Sequence, residues 1–121
     1  MRGLNRGQPI SYTRVTADTL VARGPLLFYG LTMIADGIAP QVDIFDGFNT
    51  RTRRIMRVAH TYTDSAAINR VAGMPVMLPA PILLERGLFV DIFASVTEVT
   101  VFYMPVREEQ LAPRVEARVE A

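Results

Sequence analysis

The sequence predicts an all-β protein, a single β-sandwich or jelly-roll-like domain of about seven to eight strands. Three observations lead there. Apolar residues recur at every second position through much of 17–105. Turn signals interrupt those runs about every ten residues. Only one short stretch, Asp64–Val71, carries a helical signature. The 121 residues leave room for one domain. With 50% hydrophobic residues and a formal net charge of +1, the composition is that of a folded chain.

Residues 1–16 are polar and basic, with Arg2, Arg6 and Arg14 and no acid, and are expected to form an extended arm. The sandwich is assigned to 17–105. Leu26–Ile34 is apolar at nearly every position, which suits a strand buried on both faces. Asp36-Gly37 is a turn dipeptide. Gln41–Asp46 alternates, Val42 and Ile44 on one face and Asp43 on the other. Asp46-Gly47 then turns the chain into Arg54–His60, where the alternation through Ile55, Arg57 and Ala59 is weaker. Asp64–Val71 reads as a short helix, with Asp64 or Ser65 as N-cap and Gly73 beyond its end.

Met74–Leu84 contains Pro75, Pro79 and Pro81, which cannot donate to a central ladder. The segment is therefore placed on a sheet edge or in an extended crossover. Gly87–Phe93 puts Leu88, Val90 and Ile92 on one face. Thr97–Met104 sets Val99, Val101 and Tyr103 against Glu98, Thr100, Phe102 and Met104. Residues 106–121 form a charged tail, read as a short terminal helix or a frayed end. Apart from the prolines, nothing obvious protects the sheet edges, so association between copies is expected to cover them.

The chain has no Cys, which excludes disulfides and Cys-based metal sites. All thirteen basic residues are Arg. They are unevenly spread: residues 1–60 carry eight Arg against four Asp, and 61–121 carry five Arg against eight acids. Such an asymmetry can align neighbouring copies. No stretch reaches the roughly 18–20 apolar residues of a membrane span, and the start lacks the apolar run of a signal peptide. The expectation is a soluble protein with no membrane partner.

No residue qualifies as catalytic, and no cofactor or metal is implied. His60 is the single imidazole, and no nucleophile motif accompanies it. Asp43, Asp46 and Asn49 supply oxygens near a turn, as a hard cation needs, but an Asp-Gly turn explains Asp46 equally well. Glu85 and Glu98, considered as a carboxylate pair, are read as turn residues. The densest charge is RTRRIMR, where strand geometry places Arg51, Arg53 and Arg57 on one face and Arg54 on the other. The near-neutral net charge counts against nucleic acid, and the cluster is read as a solvated polar face, with an acidic protein neighbour as the alternative. Most aromatics fall within strands, but Phe48 and Tyr62 fall in loops, where a large ring needs covering.

The order of a buried strand with Tyr29-Gly30, then Val42, Ile44, Phe45 and Asp46-Gly47, resembles small virion proteins. Pro79–Pro81, Gly87-Leu88-Phe89-Val90 and Val99-Thr100-Val101-Phe102-Tyr103 continue the pattern. These are the β-sandwich proteins of tailed bacteriophages that decorate or cement the head or form head or tail appendages. The resemblance covers roughly 24–105. It implies binding without turnover, with copies on a symmetric shell as trimers or at lattice interstices, in a virion assembled in the host cytoplasm. The partners would be the chain itself and a capsid or tail protein. Interface candidates are Arg2, Arg6, Ile10, Tyr12 and Arg14 from the arm, and Phe48, Arg51, Arg53, Arg57 and Tyr62 from the loops. A carbohydrate- or other ligand-binding sandwich, with Phe48 and Tyr62 as stacking surfaces, is the alternative.

Overall fold

The computed structural model describes residues 10–61 and 74–106. They form eight strands: β1 (Ser11–Val15), β2 (Thr19–Arg23), β3 (Leu26–Ala35), β4 (Gln41–Asp46), β5 (Arg53–Ala59), β6 (Met74–Leu84), β7 (Gly87–Ile92) and β8 (Val96–Pro105). Two four-stranded sheets, in the orders β1-β8-β3-β6 and β2-β7-β4-β5, pack face to face. The antiparallel pairs β1–β8, β2–β7, β3–β6 and β4–β5 are nested like one long folded hairpin. Wrapping that hairpin adds the pairs β3–β8 and β4–β7. This is the jelly-roll form of the sandwich, as the strand pattern predicts.

The interior takes one side of each strand. Leu26, Phe28, Leu31 and Met33 of β3 meet Val42 and Ile44 of β4, Leu88 and Val90 of β7, and Val99 and Val101 of β8, all under 2% exposed. Burial of each such side chain contributes roughly 1.5–3 kcal/mol. Thr13 and Tyr103 add a hydrogen bond of 3.0 Å between their hydroxyls.

Three expectations are corrected by these pairings. Residues 11–15, assigned to the arm, are the edge strand β1, and Val15 is in the core. Leu26–Ile34 is not buried on both faces: Leu27, Tyr29, Thr32 and Ile34 are only half-buried on the outside of the sheet. The reason is a bulge. The alternation slips by one residue at Gly30, so Leu26 and Phe28 before it, and Leu31, Met33 and Ala35 after it, all point inward. A strand with such a slip reads as apolar on both sides. Third, Phe93, read as the end of a strand, lies beyond β7 and is 39% exposed. The expected helix Asp64–Val71, residues 1–9 and the tail from 107 lie outside the described residues.

Opposite Tyr29, β6 inserts Leu78–Pro81 between the paired positions Met77 and Ile82. Pro79 and Pro81 sit in this excursion, where no ladder bond is required, and β6 is a sheet edge, as its prolines predict. The other edges are protected individually. β2 has a bulge between Leu20 and Ala22, and β5 carries Arg53, Arg54 and Arg57. β1 is only five residues long.

Gly30 has φ +142° and packs so tightly against β6 that a Cβ would fall on the Val76 carbonyl oxygen. Gly24, at φ +80°, has open space around it. Gly30→Ala should therefore cost about 2 kcal/mol or more, through contact as well as backbone strain. Gly24→Ala should cost about 1 kcal/mol from strain alone. Urea denaturation of both variants checks the order; equal losses would remove the close approach as the reason for glycine at 30.

Candidate functional site

The sandwich has two distinct ends. The β2–β3, β4–β5 and β6–β7 connections share one, and the β1–β2, β3–β4 and β7–β8 connections share the other. At the first, Asp46 organises the backbone. Its Oδ1 accepts from Arg86 N at 2.8 Å and Gly87 N at 3.4 Å, and its Oδ2 accepts from Glu85 N at 3.2 Å. Gly24 N donates to Arg86 O, and Gly47 N to Gly87 O. The Asp-Gly dipeptide is thus a tie between β4 and the β6–β7 turn, as well as a turn.

Phe48 lies on this end, 38% exposed. Beneath it Gly87 lets the backbones of β2 and the β4–β5 loop close in, since a Cβ there would come 2.9 Å from the carbonyl oxygens of Ala22 and Gly47. The Arg23 guanidinium stands 4.9 Å from the ring centroid and that of Arg86 5.9 Å. Cation–π attraction holds both cations near the ring. Arg51 and Arg53 belong to the same end. The loop carrying Arg51 is shaped by Asn49, whose Oδ1 accepts from Arg51 N and whose carbonyl accepts from Thr52 Oγ1. Arg23 and Arg86 were not legible from the sequence, because they come from elements far from RTRRIMR in the chain.

Arg57 does not join this group. A bulge places Arg54 opposite Phe45 and Arg57 opposite Asp43, leaving Ile55 without a cross-strand partner. Arg54 and Arg57 consequently share the outer face, while Met56 opposes the core residue Ile44 and Val58 the core residue Val42. The expected grouping of Arg51, Arg53 and Arg57 is overturned by that extra residue. Arg57 instead grips Asp43 with two bonds of 2.8 and 2.9 Å, and Arg54 stands 3.6 Å away. Asp43 is 2% exposed, the only buried charged residue among those described. Its hydrogen bonds hold the Arg57 guanidinium above its ordinary pKa.

Asp43 faces Asp91 across the β4–β7 ladder, and Asp18 approaches from the other side. Asp18 Oδ1 also accepts from Ile92 N at 2.8 Å. Burial first, then the neighbouring carboxylates of Asp18 and Asp43, push the Asp91 pKa upward. The oxygens of Asp43, Asp46 and Asn49 go to three separate sets of partners, so they do not converge on a cation. Glu85 and Glu98 stand at opposite ends, and Glu98 lies in β8 rather than in a turn. His60 sits beyond β5, and its N–H donates to Pro40 O.

The outer face of the first sheet is apolar in the half towards the β2–β3 connection, and its other half carries Arg14, Thr100, Thr32 and Glu98. One row crosses all four strands: Tyr12, Phe102, Gly30 and Met77. A second row runs Met104, Leu27, Leu83. Tyr12 is 72% and Met77 55% exposed, and Tyr12 lies 6.4 Å from the Phe102 ring. The charges on this face are Arg14 and Glu98, paired at 3.3 Å. Ile10 continues the patch and is exposed. Of the sequence candidates, Ile10, Tyr12 and Arg14 therefore meet on or beside one face, and Phe48, Arg51 and Arg53 on one end. Arg2, Arg6 and Tyr62 lie outside the described residues. No protein-family model, curated protein or solved structure matches the chain.

Because Asp91 binds its proton more tightly when folded, its favourable contribution is present below the unfolded pKa and is lost as pH rises. Asp91→Asn should accordingly raise the melting temperature near neutral pH, with the gain fading as pH falls towards about 4. Thermal melts across that range check it. A pH-independent difference would show that charge at Asp91 is not what matters.

Proposed function

We propose that this chain is a non-enzymatic structural protein, a jelly-roll subunit that joins copies of itself and a larger protein shell or appendage. The observation that carries the reading is the outward face of β1-β8-β3-β6. An exposed antiparallel sheet face is ordinarily polar. Here Tyr12, Leu27, Tyr29, Leu83, Phe102, Met104 and Met77 make the half towards the β2–β3 connection a contiguous apolar surface, of the kind that marks protein contacts. Its charges are neutralised within the face by the Arg14–Glu98 pair, so two copies can meet there without like-charge repulsion.

The resemblance to decoration, cement and appendage proteins of tailed bacteriophages supports a virion as the setting and a capsid or tail protein as the larger partner. The ring that the ligand-binding alternative would use for sugar stacking, Phe48, already has Arg23 over it.

Sedimentation and native mass measurement test the reading. The wild-type chain should form a stable oligomer. Tyr12→Glu with Met77→Glu, both at exposed positions of one row, should weaken association by about tenfold or more while leaving the melting temperature nearly unchanged. A wild-type chain that stays monomeric at every concentration would sink the proposal.

A further inference from the structure

Sorted by position along the strands, the charged residues give the sandwich an electrical polarity. Arg23, Arg51, Arg53 and Arg86 stand at the Phe48 end, against Asp46 and Glu85, a net of +2 among the described residues. None of the four arginines makes a salt bridge with a described residue. Both Asp46 oxygens are already engaged by backbone N–H groups. At the other end, Asp18, Asp36, Asp43, Asp91 and Glu98 stand against Arg14 and Arg57, a net of −3 among the described residues. Exposed apolar side chains sit at both ends: Phe48 at the basic one, Ile38 (51%) and Phe93 (39%) at the acidic one.

The two ends are too far apart to pair within one molecule. Asp18 and Arg23 along β2, and Arg86 and Asp91 along β7, are each five residues apart, so about 17 Å separates them. That is about twice the screening length of about 8 Å at physiological salt. We infer that a second copy of this chain docks head to tail, its acidic end against the basic end of the first. Back-to-back contact of two basic ends would set like charge on like, whereas head-to-tail contact pairs opposite charges at every junction. The junction is heterologous, so it repeats: each copy that docks leaves one basic and one acidic end free, and the series closes into a ring or grows. The contact rests on the assembly reading above and adds a second interface to the sheet face.

The test compares the wild-type chain with Arg51→Gln/Arg53→Gln and with Asp18→Asn/Asp36→Asn. The asparagines keep an oxygen to accept from Ile92 N and Thr97 Oγ1. Native mass spectrometry and sedimentation are run at about 0.02 M and about 0.5 M salt. At low salt each variant alone should lose the larger species, with association weakened by about tenfold or more. Mixed together, they should form heterodimers in excess of random pairing, because one retains the acidic end and the other the basic end. High salt should abolish that excess. Random pairing in the mixture, or variants that assemble like the wild type, would overturn the head-to-tail contact and leave the sheet-face reading intact. Loss confined to the arginine variant would assign the basic end to some other anion, nucleic acid included, and also overturn it. A wild-type chain with no oligomer at either salt would take down both.

Discussion

Strand β3 is hydrogen-bonded on both sides, to β6 and to β8, so its slip at Gly30 determines what both faces of its sheet present. Inward, the slip lets Phe28 and Leu31 both reach the core although they are three positions apart. Outward, it sets Leu27 and Tyr29 beside Phe102 and Met104 of β8 and produces an apolar surface where water would ordinarily lie. The same bulge absorbs Pro79 and Pro81 of β6. A glycine that tolerates close backbone approach is therefore the local condition for the core, for the edge strand and for the exposed face.

The fold was legible in the sequence wherever alternation was regular. β4, β7 and β8 have the inward and outward sides that their residues predict, because period two allows only one assignment once a face is buried. The β6 edge followed from Pro75, Pro79 and Pro81. What could not be read arose from single-residue slips and from pairing at a distance. The extra residue at Ile55 moved Arg57 away from Arg53. β1 and β2 are short and moderately polar, and their strand character comes from pairing with β8 and β7.

The surfaces were legible only in part, for the same reason. Tyr12 and Phe48 stood out as aromatic side chains in need of cover. Arg23 and Arg86 reach the Phe48 ring only after the jelly roll brings the β2–β3 and β6–β7 turns together. The polarity between the two ends of the strands does not follow the charge asymmetry between the two halves of the sequence: Asp18 and Asp36 of the first half stand at the same end as Asp91 and Glu98 of the second. Asp43 shows a further limit: a buried carboxylate opposite another carboxylate is tolerable only because Arg57 and Arg54 close over it.

The nested pairing also shapes how the chain is made. Thr13 and Tyr103, ninety positions apart, bond to each other, and among the described strands β1 pairs only with β8. During synthesis at roughly 5–20 residues per second, β1 emerges several seconds before β8 exists. The hairpin β4–β5 can zip early, followed outward by β3–β6 and β2–β7, so closure of the sandwich is the last event. Until the ribosome delivers Val96–Pro105, β3 keeps one unsatisfied edge, and the sheet β1-β8-β3-β6 lacks the strand that joins its two halves.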